Sequence, residues 1–233
     1  MPCFDIIKKA EPEQTFRVSS IAGAFDLDTD HITEHFTGNI DIENKPWNIG
    51  LIVGGSGTGK STIAKEIFPD AYIKDFEYHA KSVVDDMPKD KSIKDIELAF
   101  TNVGFASPPS WLKPYSVLSN GEKMRCDLAR ALLEGKELIV FDEFTSVVNR
   151  EVAKTASYAI SKAVKRQGKK FVAVACHKDI IEWLEPDWIY DTDEKRFFTL
   201  GESTTAPNSN LKYIGLTTKL KNQYGKYLES ITI

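Results

Sequence analysis

Three stretches of the chain are apolar without alternation and too short for a core helix. They are WNIGLIVGG at 47–55, ELIVF at 137–141 and FVAVAC at 171–176. Continuous apolar runs of this length, ending in glycine or in polar residues, predict strands buried on both faces. Between them the apolar positions recur at helical spacing. Ile63, Ile67 and Phe68 share one side of a helix over 61–68, and Met124, Leu128 and Leu132 share one over 122–134. A third helix covers 151–166. Strands alternating with helices predict a mostly parallel sheet with helices on both faces. Upstream, Phe16 and Val18, then Ile40 and Ile42, alternate with polar neighbours, so 15–45 reads as short antiparallel strands ended by Lys45-Pro46. Residues 75–117 are polar and punctuated by proline, which predicts a short, partly helical region. After Leu200 the composition shifts to Thr, Asn, Gly and Lys, as in a loosely docked tail over 201–233. No internal repeat is visible.

Composition narrows the setting without choosing a chemistry. A length of 233 residues suits one α/β domain with its own core. The net charge of −4 gives no global basic field of the kind that draws nucleic acid. Cys3, Cys126 and Cys176 fit neither a disulfide framework nor a metal spacing, and the N-terminus lacks the apolar core of a secretion signal. No apolar run approaches the roughly 20 residues of a membrane helix. Together these features predict a cytoplasmic protein without direct membrane insertion.

The chemistry is concentrated where the buried strands end. Gly54, Gly55, Ser56, Gly57, Thr58, Gly59, Lys60 and Ser61 complete the pattern GxxxxGK[ST], with Thr62 following in the helix. The motif lies after a buried strand and before a helix, where backbone N–H groups and the helix dipole can cradle a phosphate. In this pattern Lys60 reaches the β- and γ-phosphates, and the Ser61 hydroxyl ligates Mg²⁺. A plain glycine turn has no need of Lys-Ser at that offset. Asp142 ends the ELIVF strand, where an unpaired carboxylate would be costly to desolvate. It is the candidate acidic partner of Mg²⁺, and the adjacent Glu143 is the candidate base for an attacking water. A nucleoside triphosphate and Mg²⁺ follow from this pair of elements.

Leu118-Ser119-Asn120-Gly121-Glu122, then the helix EKMRCDLARALLEG, then Asp142-Glu143, resembles the ABC (ATP-binding cassette) ATPase superfamily. The segment looks like that family's LSGGQ signature, with Asn for the first glycine and Glu for the glutamine. Read alone, Ser119 and Glu122 are an S-x-x-E capping box. His177, after the strand FVAVAC, resembles the family's γ-phosphate-contacting histidine. Ser146-Val147-Val148-Asn149 occupies the D-loop position, with Asn149 where aspartate is usual. The resemblance spans about 30–200. It implies a P-loop NTPase fold with a mostly parallel sheet, flanking helices, an N-terminal antiparallel β part and a short helical subdomain at about 75–135, the ATPase domain covering 1–200. It also implies ATP hydrolysis in a nucleotide-driven homodimer. Lys60, Glu143 and His177 act in catalysis, Ser61 and Asp142 serve the metal, and Ser119 with Gly121 reaches the nucleotide held by the other subunit.

The chain also departs from the family. No glutamine lies between Gln14 and Gln167, so the usual metal-sensing glutamine is missing, and Asp75 or Glu77, after the strand-like AYI, is the candidate substitute. Phe25, or else Phe16, is the candidate adenine-stacking aromatic, with Trp47 read as a packing residue. The cations Lys162, Lys165, Arg166, Lys169 and Lys170 read as a solvated helix end. In the tail, Lys212, Lys219, Lys221 and Lys226 interleave with Tyr213, Tyr224 and Tyr227, which suits single-stranded nucleic acid or docking on the domain itself. The resemblance is read as a stand-alone ATPase working on an unidentified protein partner, with two alternatives: the energy subunit of a membrane transporter, and a nucleotide-gated clamp on nucleic acid or protein.

Overall fold

A computed structural model describes residues 3–10, 13–27, 32–43, 45–73 and 75–199. In chain order the strands are β1 (Cys3–Ala10), β2 (Ile32–Asn39), β3 (Ile49–Val53), β4 (Leu138–Phe141), β5 (Lys170–Ala175), β6 (Trp188–Asp191) and β7 (Arg196–Thr199). The helices are α1 (Phe16–Phe25), α2 (Lys60–Ile67), α3 (Ile93–Asn102), α4 (Pro108–Trp111), α5 (Asn120–Leu133), α6 (Arg150–Gln167) and α7 (Ile180–Leu184). The tail predicted at 201–233 lies outside the described residues.

The three continuous apolar runs become β3, β4 and β5, three of the five strands of one sheet ordered β4-β5-β3-β6-β7. β3 pairs in parallel with β5 and β6, and β4 pairs in parallel with β5. Only β7 runs antiparallel. Every residue of β3 is buried. Alternation along the strand sends Ile49, Leu51 and Val53 into the larger core, with residues of α3, α5, α6 and α7, and Ile52 into the smaller one. There it joins Ile63 and Ala64 of α2, Phe4 of β1 and Trp188 of β6. Both faces of the sheet are therefore covered. Burying a large aliphatic side chain contributes about 1.5–3 kcal/mol, so a five-residue strand buried on both faces is a principal source of stability.

One element differs from its sequence reading. Residues 16–25 are helical, not extended. Thr15 caps the helix, its hydroxyl accepting from the Val18 N–H at 3.3 Å. Two alternating positions are too few to fix a period, whereas Val18, Ile21, Ala22 and Phe25 follow helical spacing. No residue of α1 is buried. The antiparallel part consists instead of β1 and β2, paired along their full lengths from Cys3 opposite Asn39 to Ala10 opposite Ile32.

The polar stretch before α5 is fixed by a half-buried cluster. Tyr78 and Tyr115 stack with ring centres 3.9 Å apart. Their hydroxyls donate to the two oxygens of Asp127, each at 2.8 Å. The Arg130 guanidinium lies 4.9 Å from the Tyr78 ring centre and donates to the Glu77 carbonyl at 2.8 Å. Burial pushes the Asp127 carboxyl up to about 6, against the hydrogen bonds from Tyr115 and Tyr78, which lower it.

A carboxyl raised in this way holds a proton that the unfolded chain has already released. Its contribution to stability is complete below the unfolded value of 3.8 and is lost as pH rises through about 6. Asp127→Asn should flatten that part of the stability profile by about 1–2 kcal/mol. Urea denaturation of both proteins at pH 4 and pH 7 measures it, and parallel profiles would place the titrating group elsewhere.

Candidate functional site

β3, β4 and β5 run in parallel and in register, with Val53 beside Ala175 and Phe141 beside Ala173. The segments that follow them therefore leave the sheet at one edge, its carboxyl end. The residues after these strands are the glycine-rich loop, Asp142-Glu143 and Cys176-His177. In parallel α/β sheets ligands bind at this edge.

The loop 54–59 is shaped by glycine where the backbone requires it. Gly57 and Gly59 have φ of 80° and 84°, and Gly59 is the N-cap of α2. A Cβ on Gly59 would fall 2.4 Å from the ring of Phe36, which β2 lays against the loop. Residues 55–57 are exposed, whereas Lys60 is only 7% exposed and its ammonium donates to the Gly55 carbonyl at 2.5 Å. The Thr58 hydroxyl donates to the same carbonyl at 2.9 Å. The Ser61 and Thr62 hydroxyls make no hydrogen bond within the described residues.

After β4 the chain turns sharply. Asp142 is half-buried, and its Oδ1 accepts from the Glu143 N–H at 2.9 Å while its Oδ2 accepts from the Tyr72 hydroxyl. Glu143 and Thr145 both have left-handed backbones, with φ of 51° and 65°. This conformation costs roughly 1–2 kcal/mol per residue. Phe144, between them, is fully buried against Phe141 and Phe171. That anchor holds the turn and leaves the Glu143 side chain exposed. His177 is exposed too.

Ser119 is the N-cap of α5 and forms the predicted capping box. Its hydroxyl accepts from the Glu122 N–H at 3.4 Å, and its own N–H donates to Glu122 Oε2 at 2.9 Å. The other oxygen, Oε1, accepts from the Ser110 hydroxyl at 2.6 Å. The Ser110 hydrogen bond first, then those from Ser119, hold the Glu122 carboxyl down at about 2. Gly121 sits against α6, where a Cβ would meet Val152 at 3.1 Å. Asn149 caps α6 through the Val152 N–H at 2.9 Å. Among the described residues no hydrogen bond joins 119–122 to the glycine-rich loop of the same chain.

Comparison with known proteins fits this geometry. No protein-family model matches the chain. Over 76 residues, 33% of its length, it is 36% identical to the ABC-type transporter MDR1 of Aureobasidium melanogenum. The match covers 6% of that protein, so the chain spans only a small part of the curated relatives it resembles. The solved structure of cbiO1 from Clostridium perfringens, part of an ABC transporter complex, superposes with a TM-score of 0.56 at 18% identity, covering 98% of this chain and 99% of that one. A bacterial ABC transporter cassette, solved as a dimer in a post-hydrolysis state with ADP and Pi, gives 0.58 at 14%, covering 86% and 99%. The chain has the fold of an ABC ATP-binding cassette.

Within this cassette several contacts to the loop come from residues that sequence reasoning missed. Asp193, in the turn between β6 and β7, accepts from the Gly55 N–H at 2.8 Å. The Thr192 and Thr58 hydroxyls bond at 2.6 Å. Lys178, next to His177, bridges Asp191 at 2.8 Å and Asp193 at 3.3 Å. The signal that could have found them is the apolar run WIY ending in Asp191, the same form as LIVF ending in Asp142. Tyr72 and Phe36 were missed for lack of any local signal. The candidate adenine aromatics Phe16 and Phe25 are 87% and 72% exposed on α1. The basic cluster is dispersed: Lys165 pairs with Glu185 at 3.5 Å, Lys169 donates to the Leu132 carbonyl at 2.9 Å, and the Lys170 ammonium lies 4.7 Å from the Trp47 ring centre.

Gly59→Ala tests the packing of the loop. The new Cβ meets the Phe36 ring and the backbone is left-handed, so the substitution should destabilise by about 2 kcal/mol or more. Adding Phe36→Ala should leave part of that loss in place, because the φ strain persists without the ring. Chemical denaturation of the Gly59→Ala, Phe36→Ala and combined variants gives the comparison.

Proposed function

We propose that this chain is an ABC-type ATPase that binds Mg-ATP and hydrolyses it as a head-to-tail homodimer, the opening of the dimer doing work on a protein partner. The observation that carries the reading is the convergence on one sheet edge of the glycine-rich loop with its buried Lys60, the clamped Asp142 and the exposed Glu143. The loop amides of 54–62 and Lys60 bind the phosphates. Ser61 and Asp142 serve the metal. Their hydroxyl and carboxylate oxygens are hard donors, the Ser61 hydroxyl is free of internal partners, and Mg²⁺ takes one or two such protein ligands beside phosphate and water. Bound Mg²⁺ offsets charge on the phosphates. Glu143 takes a proton from the attacking water, and His177 approaches the γ-phosphate. The ATPase unit is residues 1–200, with 75–135 as its helical part, working in the cytoplasm.

Ser119 and Gly121 act in trans. The start of α5 offers a capped, positively polarised helix end that, among the described residues, makes no hydrogen bond to its own loop, and a two-fold arrangement lets one patch serve both subunits. A second reading, the energy subunit of a membrane transporter, is favoured by the local identity to transporter sequences. No described helix is long and apolar enough to cross a membrane, so in that reading the membrane part lies outside the described residues. Co-purification with membrane permease proteins decides for it.

Lys60→Ala should abolish binding of ATP analogues, and retained micromolar affinity would remove the phosphate-loop assignment. Glu143→Gln should still bind ATP while turnover falls by two or more orders of magnitude, the range for losing a positioned base. Light scattering on Glu143→Gln should give a mass near 26.2 kDa without nucleotide and near twice that with Mg-ATP. Adding Ser119→Arg should keep it at the lower mass with ATP still bound. A dimer that forms normally with Ser119→Arg would reduce the α5 start to a helix cap.

A further inference from the structure

We infer that Tyr72 is the positioning residue of the Asp142 carboxylate, its phenol O–H holding Oδ2 so that the carboxylate is presented to the divalent cation that accompanies the nucleotide. The inference rests on the assignment of Asp142 to the metal, and it supplies a fixing contact in a chain that has no glutamine between Gln14 and Gln167.

Tyr72 is held independently of the bond it makes. It forms a one-residue parallel bridge to Val140 of β4, with the Ile73 N–H donating to the Val140 carbonyl and the Val140 N–H to the Ala71 carbonyl, both at 2.9 Å. This bridge sets Tyr72 beside the strand that ends at Asp142. On the other side the Lys65 ammonium of α2 lies 4.8 Å from the Tyr72 ring centre. α2 is the helix that begins at the phosphate loop, so the ring spans from the loop helix to the acidic strand. The phenol then closes a clamp with one hydrogen bond on each oxygen of Asp142, from Tyr72 on Oδ2 and from the Glu143 N–H on Oδ1. An ionised carboxylate has about four lone-pair sites, so a clamp of two leaves one site per oxygen for the hydration shell of a cation. A phenol is neutral near neutral pH, so the group serves as a hydrogen-bond donor to the carboxylate.

Partners that orient a metal-side ligand typically carry 10–100-fold in metal affinity. Tyr72→Phe keeps the ring, the bridge and the contact with Lys65 and removes only the hydroxyl. The test is titration of the full chain with Mn²⁺ in the presence of the β,γ-imido analogue of ATP, following free Mn²⁺ by electron paramagnetic resonance. Binding of the analogue alone, in EDTA, is measured in parallel. Tyr72→Phe should bind Mn²⁺ about tenfold or more weakly, with analogue affinity in EDTA within twofold of wild type. Lys65→Met, which removes a neighbour of the ring but not the hydroxyl, should keep the wild-type Mn²⁺ affinity. Mn²⁺ affinity of Tyr72→Phe within threefold of wild type, or an equal loss with Lys65→Met, would overturn the inference and leave the nucleotide site standing. Failure of the wild-type chain to bind the analogue would overturn the site assignment itself, and the inference with it.

Discussion

The structure depends on a strand with no exposed side. β3 is hydrogen-bonded on both edges and buried on both faces, so the chain cannot turn polar until the strand leaves the sheet. Where it does, at Gly54, the backbone amides lose their ladder partners and must find others. The loop answers with glycines that turn its peptides outward, and the next residues form a helix whose first amides are also unpaired. A loop of outward-turned amides therefore arises where the most buried strand meets the first turn of α2, and it is there that we place the phosphates. The same constraint acts on β4 and β5, which is why the acidic pair and the histidine emerge along the same edge.

Around that edge the polar groups are held by contacts from distant parts of the chain. The Gly55 peptide is gripped twice: its N–H by Asp193 and its carbonyl by Lys60 and Thr58. Asp193 is in turn paired with Lys178, one residue after His177. The loop, the β6–β7 turn and the histidine segment thus form one bonded unit.

The start of α5 is built differently. Ser119 and Glu122 satisfy each other, and Ser110 completes the coordination of Glu122. Further along the same helix, Asp127 and Arg130 hold Tyr78, Tyr115 and the Glu77 carbonyl. One helix therefore carries both a pre-formed, outward-facing cap and the anchor for the segment downstream of Tyr72. Its geometry is fixed by contacts within the chain, and preorganisation of that kind would lower the entropic cost of the dimer interface proposed above.

The sequence alone determined the elements whose signals are local. Continuous apolar runs marked β3, β4 and β5, helical spacing marked α2, α5 and α6, and the glycine-rich loop with Lys60 and Ser61 marked the proposed phosphate site. The capping box at Ser119 was legible because both its partners lie within one helical turn. Residues 16–25 misled because two alternating positions carried the strand reading, while the helical spacing of Val18, Ile21, Ala22 and Phe25 marks a face that the fold leaves unburied. Only the tertiary structure decided what touches the site. Tyr72 reaches Asp142 across 70 positions, Asp193 reaches Gly55 across 138, and Phe36 lies against Gly59 from the other sheet. These contacts follow from strand order and register. A strand's own apolar run shows that it is buried, but its neighbours are chosen by the packing of the whole chain.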